Sequence, residues 1–187
     1  MFIRNYLSDV NADDVLGSIL DDNLNTANYL IYSILSPILT EFIERTGRKE
    51  VQLQCDKAIC LVGSEEIAPK SDFVIVDLSD AKEERIILIV QKRRDSWAES
   101  MKQCLIAIRD AHVKNKCTGL VYGFVTNGEH WRMFVYNGTT FLKSGEMKAF
   151  FEAMESQKDR WMFCCSLIVD CIYLALRKGG DTQTKKE

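Results

Sequence analysis

Two apolar runs near the middle of the chain constrain the fold more than any other feature. The runs DFVIVDL (72–78) and IILIV (86–90) consist mainly of β-branched and aliphatic residues and lack polar alternation. A strand with one wet face alternates apolar and polar residues, so continuous runs are typical of strands that are covered on both faces. The charged segment SDAKEER between them favours a hairpin. We therefore expect two paired strands in a sheet that carries helices on both sides.

The segments before these runs predict two helices and a strand. A short helical segment is expected over 13–20, and a longer helix over 24–45. Pro37 should kink or divide the longer helix, and Gly47 suits the left-handed cap that ends it. Strict alternation at the start of 51–62 then predicts a strand.

The segments after the runs continue the same pattern. Ser96 and Glu99 form a capping box for a helix that is expected to reach residue 114. Two Asn-Gly turns within 118–142 predict a strand, a second strand and a short third strand. Residues 145–178 are expected to be helical, in one or two pieces.

This order of elements fits one α/β domain with a mixed central sheet flanked by helices. A chain of 187 residues can bury roughly 70% of its unfolded surface in a single core. We expect an N-terminal helical extension over 1–23, a core over 24–142, an added C-terminal helical segment over 143–178 and a disordered tail over 179–187.

Net charge and cysteine content limit the partners and the cellular compartment that we expect for this chain. The net charge of −3 gives no overall attraction to nucleic acid or anionic membranes, so such binding requires a local basic patch. The seven cysteines are odd in number and lack CxxC spacing, which predicts free thiols in a reducing compartment, the cytoplasm or nucleus. Cys55 and Cys60 with His112 or His130 form one weak candidate for a zinc site. The first residues lack the apolar run of a signal peptide.

The most apolar segment, WMFCCSLIVDCIYLAL (161–176), lies near the C-terminus. It is shorter than the roughly 20 residues that span a membrane. We expect a buried helix or the surface of a homodimer rather than a membrane segment.

Polar residues at the ends of the two central strands form the candidate site. Asp72 opens one strand, and Gln91, Lys92 and Arg93 close the next. Residues i and i+2 of a strand share a face, so Gln91 and Arg93 should point together while Lys92 points the other way. Oxygen ligands beside a cation are what a Mg²⁺-dependent nuclease needs.

This arrangement resembles the PD-(D/E)XK nuclease superfamily over roughly residues 24–142. That family has a core of helix, three strands, helix and strand, with Asp on one strand and Glu-x-Lys on the next. Asp72 matches the Asp, Gln91 stands at the Glu position nineteen residues later, and Arg93 stands at the Lys position. Some members use Gln-x-Lys. The resemblance implies a restriction-endonuclease-like fold.

The resemblance also implies roles for individual residues. Asp72 and Gln91 would bind Mg²⁺ or Mn²⁺, and Arg93 or Lys92 would stabilise the phosphate. Gln103 lies where many members carry a glutamine on the following helix. The nucleic acid, DNA more than RNA, would meet a basic strip that extends from Arg94 along Lys102, Arg109, Lys114 and Lys116, with Gln103 beside it.

Two departures from the family pattern bear on activity. An amide in place of a metal-bound carboxylate removes a charge interaction of roughly 4 kcal/mol at 4 Å and an effective dielectric of 20. Arg93 stays charged but cannot release a proton. Asp77 and Asp80 are nearby carboxylates that could compensate, and Glu41 or Glu44 on the first long helix would supply the extra acid that many members use.

Ordinary structural roles explain many of the same residues. Asp72 can be a strand-end carboxylate in solvent, and the three cations can mark a solvated strand exit with Asp95 as a helix cap. Three functions therefore remain: a Mg²⁺-dependent nuclease, a nuclease fold that binds nucleic acid without cleaving it, and an interaction or dimerisation module that uses the C-terminal helix. We favour nuclease ancestry over retained cleavage.

Overall fold

The structure of the chain is a computed structural model that describes residues 23–59, 70–80, 83–93, 96–150 and 156–179. Within these residues the helices are α1 (Asn23–Thr46), α2 (Trp97–Lys114) and α3 (Lys158–Gly179). The strands are β1 (Val51–Ala58), β2 (Lys70–Asp80), β3 (Glu83–Lys92), β4 (Val121–Thr126), β5 (His130–Tyr136), β6 (Phe141–Lys143) and β7 (Met147–Lys148). The expected N-terminal helix over 13–20 and the tail from residue 180 lie outside the described residues.

The strands form one mixed sheet in the order β1-β2-β3-β4-β5-β6, and β7 pairs with β5. Strands β1, β2 and β3 are antiparallel neighbours, so the expected β2–β3 hairpin is confirmed. Strand β4 runs parallel to β3, with α2 as the connection between them. A parallel pair requires a crossover of this kind, whereas β4 and β5 are antiparallel and joined by a tight turn.

Helices cover both faces of the sheet. Alternate β2 and β3 residues such as Phe73 and Val90 pack with α1 and α3, while Val74 and Ile89 pack against α2. The central strands are therefore buried from both sides, as their unbroken apolar runs predict. The prediction of an α/β domain with a mixed, helix-flanked sheet is confirmed.

Helix α1 begins and ends close to the expected positions. Pro37 lies inside α1, yet the helix runs without a break from Asn23 to Thr46. Gly47 follows at φ +72°, and its N–H donates to the Ile43 carbonyl at 2.8 Å. This left-handed residue ends the helix, as its position predicts.

A side-chain cap begins helix α2, and an asparagine side chain at its other end bonds to β3. The Ser96 hydroxyl accepts a hydrogen bond from the Glu99 N–H, so the N-cap is Ser96 rather than Asp95, which lies outside the described residues. At the other end, the buried Asn115 amide donates to the Ile86 carbonyl at 2.7 Å and accepts from the Ile86 N–H at 2.9 Å. The Asn115 side chain thus bonds the β3 backbone before the β4 ladder begins at Leu88.

The C-terminal region departs from the sequence prediction in two places. Met147–Lys148 forms a strand rather than a helix, and α3 begins at Lys158. Gly179, assigned to the tail, is the buried last residue of α3, and its carbonyl accepts from Arg85 Nε at 3.0 Å. Arg48 Nη1 donates to the Leu176 carbonyl at 3.2 Å, so two cations cap the negative end of the helix.

None of the helices in the described stretches has both the length and the apolarity that crossing a membrane requires.

The Asn115 bridge should be a strong contributor to stability. Asn115→Ala leaves the Ile86 N–H and carbonyl without this partner in the core, which should lower the free energy of unfolding by about 1–3 kcal/mol. Urea unfolding of the variant measures this. Asn28→Ala, at an exposed position on α1, is the matched control. An Asn115 variant no less stable than this control would contradict the assignment.

His112 should make stability depend on pH. Burial, followed by the charge of Arg85, lowers the pKa of this imidazole, which is 5% exposed and packs edge-on against Tyr136. The unfolded chain then binds a proton more readily than the folded chain, so stability should fall as pH decreases from about 6.5 through the lower folded pKa. In urea unfolding, His112→Phe should flatten this pH slope. An unchanged slope in His112→Phe would contradict the prediction.

Candidate functional site

The Asp72–Gln91 pair lies at the end of β3, where the carboxyl ends of β3 and the parallel β4 meet. The register Phe73↔Val90 places Asp72 beside Gln91 on the neighbouring strand. Gln91 Nε2 donates to Asp72 Oδ2 at 2.9 Å, and the Lys92 backbone N–H donates to the same oxygen at 2.7 Å. Asp72 and Gln91 are 7% and 2% exposed. The structure therefore brings these two predicted site residues together, in a buried rather than solvated position.

Lys92 points to the opposite face of the sheet from this pair. Val90 belongs to the α1–α3 side of the core and Ile89 to the α2 side. Because side chains alternate along a strand, Gln91 faces α2 and Lys92 faces α1. Lys92 is nevertheless 5% exposed and lies beside the buried Thr126 of β4. It is separated from the Asp72 carboxylate by the plane of the sheet.

Arg93 leaves the strand and joins a cluster at the surface. Its N–H donates to the Thr126 carbonyl at 2.7 Å, and its exposed guanidinium lies 5.4 Å from the centre of the Trp97 ring. Arg132 of β5 lies 5.3 Å from the centre of the same ring. We call these three residues the Arg–Trp–Arg cluster. The guanidinium groups of Arg93 and Arg132 thus lie over the same indole. This indole stands at the start of α2, a few residues after Gln91 in the chain.

A carboxylate engages one of the two guanidiniums. Glu146 accepts from Arg132 Nη2 at 3.1 Å and contacts His130 Nδ1 at 3.0 Å. These bonds to His130 and Arg132 lower the pKa of Glu146, so the carboxylate is charged near neutral pH. Arg93 has no ion pair with a described residue, so the cluster keeps a net positive charge.

The expected basic strip on α2 does not adjoin the pair. The buried side of this helix carries Ser100 and Cys104, whereas Lys102 and Arg109 are exposed on the side away from the sheet. Arg109 forms an ion pair with Asp110 at 3.2 Å. Gln103 Nε2 lies 3.5 Å from Glu99 on its own helix. Arg94 lies outside the described residues.

Helix α1 does not place a carboxylate at the pair. Leu30 lies against Gly128 of the β4–β5 turn, near the site end of the sheet, whereas Arg48 beyond the helix end contacts Asp77. Glu41 is eleven residues after Leu30, or roughly 16 Å along a helix, and forms an ion pair with Arg45. Glu44 is exposed one turn further on.

The carboxylates on β2 do not compensate for Gln91 either. Asp77 is five residues from Asp72, about 16 Å along a strand, and faces the α1 side, where Arg48 holds it. Burial works to raise the pKa of Asp77, and the hydrogen bonds from Arg48 and Ser79 outweigh it and leave the pKa lowered. Asp80 is the last residue of β2. The proposed compensation by Asp77 or Asp80 is therefore wrong.

The residues at the pair do not fit a divalent cation. Mg²⁺ requires several converging oxygen ligands, but Gln91 presents its amide nitrogen to Asp72, and Oδ2 already accepts two N–H donors. Without a cation between them, the opposite amide orientation would set two oxygens 2.9 Å apart with no proton to share. Across the described parts of the chain, no three His, Cys, Asp or Glu residues lie close enough to hold a metal ion.

Sequence reasoning missed Trp97 and Arg132 as parts of the site. The residue alternation in HWRMF does indicate that Arg132 faces the same side as Phe134, which packs against α2. The alternation does not give the distance between Arg132 and Trp97. Strand β4 lies between β3 and β5, and the turn after β4 sets the register of β5.

Comparison with protein-family models, with curated proteins and with solved structures found no match to this chain.

The direction of the Gln91 amide gives a test that needs no activity. Gln91→Glu places two buried carboxylates in contact, which should lower the free energy of unfolding by several kcal/mol in EDTA. Mn²⁺ or Mg²⁺ should restore part of the melting temperature of this variant, because a cation can bridge the two oxygens. The wild-type melting temperature should not respond to either ion.

Gln52→Glu, at an exposed position on β1, is the matched control and should melt like the wild type in all three conditions. A wild-type melting temperature that rises with Mn²⁺, and no longer does so in Asp72→Asn, would show that the natural pair binds a cation after all.

Proposed function

We propose that this chain is a PD-(D/E)XK-like domain that binds nucleic acid and has lost metal-dependent cleavage. Helix α1, three antiparallel strands, helix α2 and a strand parallel to β3 follow one another in the order that the resemblance implies. Asp72 and Gln91, which the resemblance aligns with the metal-binding Asp and Glu of that family, are hydrogen-bonded to each other. These features support the nuclease ancestry.

The hydrogen bond from Gln91 to Asp72 is the observation that carries the loss of cleavage. In a metal site, a carboxylate at position 91 would share a cation with Asp72, and each charge would be neutralised by the ion. Here the amide donor takes the place of the cation, and the Lys92 N–H completes the neutralisation of Asp72 Oδ2. The buried carboxylate is satisfied by the protein, so metal binding would have to break a native bond.

The Arg–Trp–Arg cluster supports binding of a polyanion. A guanidinium that lies over an indole keeps its N–H groups at the edge of the plane available for phosphate oxygens. The chain as a whole carries a net charge of −3, so an attraction to phosphates has to come from a local group of cations. Arg93 and Arg132 are such a group, beside the end of β3 where the nuclease site of the family lies.

Cleavage is the first property to test. Labelled single- and double-stranded DNA and RNA are incubated with the protein in Mg²⁺, Mn²⁺ or EDTA, with Asp72→Asn in parallel. We expect intact substrate in every condition from folded protein. Metal-dependent cutting that Asp72→Asn abolishes would show that the Asp72–Gln91 pair is a working variant of the motif.

Binding is tested separately by the salt dependence of the dissociation constant. Removing a guanidinium that contacts a phosphate should weaken binding to every sequence and reduce the slope of log K against log salt concentration by about 1. We expect this for Arg93→Ala and for Arg132→Ala, measured by fluorescence anisotropy with labelled oligonucleotides. Arg109→Ala, an exposed arginine on the outer side of α2, is the comparison and should behave like the wild type.

Two results would contradict nucleic-acid binding through Arg93 and Arg132. An equal loss in Arg109→Ala would move the interface to the outer side of α2. No salt-dependent binding to any of the four nucleic acids would remove the nucleic-acid part of the proposal.

A further inference from the structure

An acidic side chain is built into the edge of the Arg–Trp–Arg cluster. The two carboxylate oxygens of Glu146 have different partners, because Oε2 accepts from Arg132 Nη2 at 3.1 Å and Oε1 contacts His130 Nδ1 at 3.0 Å. The side chains of Arg132 and Glu146 are 35% and 33% exposed. Glu146 therefore engages a guanidinium that a phosphate would need, at a position that ligands in water can reach.

The backbone on both sides of Glu146 is attached to β5. Ser144 exchanges two hydrogen bonds with the backbone of Met133, each 2.9 Å long. Met147, on the other side of Glu146, belongs to β7, which pairs with the same strand. Because Glu146 lies between these two attachments, its carboxylate has little freedom to move away from the cluster when a ligand arrives.

A phosphate at Arg132 would compete with this carboxylate. Both are anionic oxygen acceptors for one guanidinium, and like charges at that distance repel each other. Arg93 lies over the same indole and pairs with no carboxylate among the described residues. In a chain of linked phosphates, the contact of one phosphate with Arg93 raises the effective concentration of its neighbour at Arg132. A polyanion can therefore displace Glu146 more readily than a single phosphate can.

We propose that Glu146 is an internal competitor for phosphate, which occupies Arg132 in the free protein and which nucleic acid displaces when it binds. Glu146 thereby limits the affinity of the Arg–Trp–Arg cluster and favours ligands that reach Arg93 at the same time. This inference rests on the proposed nucleic-acid binding, because it assigns a control element to the same surface.

Nucleic-acid affinity gives the first test. Glu146→Gln keeps the shape of the side chain and removes its charge, so the dissociation constant for a labelled oligonucleotide, measured by fluorescence anisotropy, should fall about fivefold. Glu129→Gln is the matched control, because it removes the same charge from an exposed position in the β4–β5 turn, one residue before His130. The control should change the dissociation constant by about twofold at most.

The gain in affinity should also require Arg132. In the Arg132→Ala background, Glu146→Gln should have no larger effect than Glu129→Gln, because the guanidinium for which the carboxylate competes is absent. A gain that persists in full without Arg132 would show that Glu146 acts only as a general surface charge. A salt-dependent wild type whose affinity is unchanged or weaker in Glu146→Gln would overturn the competitor and leave the proposed nucleic-acid binding in place.

Quenching of tryptophan fluorescence tests the competitor without nucleic acid. Of the three tryptophans, Trp131 and Trp161 are buried and Trp97 is half-buried, so a quencher in water reports mainly on Trp97. A local positive potential concentrates anions, so Glu146→Gln should raise the quenching constant of iodide about twofold relative to Glu129→Gln. The quenching constant of neutral acrylamide should stay at the wild-type value in both variants.

The iodide result separates this inference from the proposed function. No rise in iodide quenching in Glu146→Gln would overturn the competitor, whatever the oligonucleotides do. A rise in iodide quenching, with no oligonucleotide bound by either the wild type or Glu146→Gln, would support a competitor for anions and overturn the nucleic-acid part of the proposed function.

Discussion

The burial of strand β3 from every side is the constraint on which the rest of the structure depends. Helices cover both its faces, and β2 and β4 lie along its edges. A polar group on such a strand has no access to water and must find a protein partner. At the start of the strand the partner of Ile86 is Asn115, and at the end the partner of Gln91 is Asp72. The C-terminal end of α2 and the candidate site are positioned by these requirements.

Much of this architecture could be predicted from the sequence, because the signals are local. Unbroken β-branched runs indicated the buried strands, Ser96 and Glu99 indicated the start of α2, and Gly47 indicated the end of α1. The two-residue strand β7 gave no such signal, since two residues carry no periodicity. The division of α1 that Pro37 suggested does not occur, and the residues beside it, Leu35 and Ile38, are packed in the core.

The candidate site was predictable in part for the same reason. Motif spacing placed Asp72 beside Gln91, since pairing of adjacent strands depends on a short turn. The partners from distant segments were not predictable. Glu41 and Asp77 have a suitable residue type, but the direction of α1 carries Glu41, and the length of β2 carries Asp77, toward the far end of the sheet. Arg132 reaches Trp97 only through the register of three strands.

The hydrogen bond from the Lys92 backbone N–H to Asp72 gives this aspartate a role in the fold that does not depend on any chemistry at the site. Its donor is a main-chain N–H, which is present whichever residue other than proline stands at position 92. An aspartate that fastens two central strands in this way is useful to the chain even if it never meets a substrate. The requirement for a stable fold is therefore sufficient to explain an aspartate at position 72, whatever chemistry surrounds it. An aspartate at this place in a sequence is therefore explained by the fold, and it is not by itself a sign of catalysis.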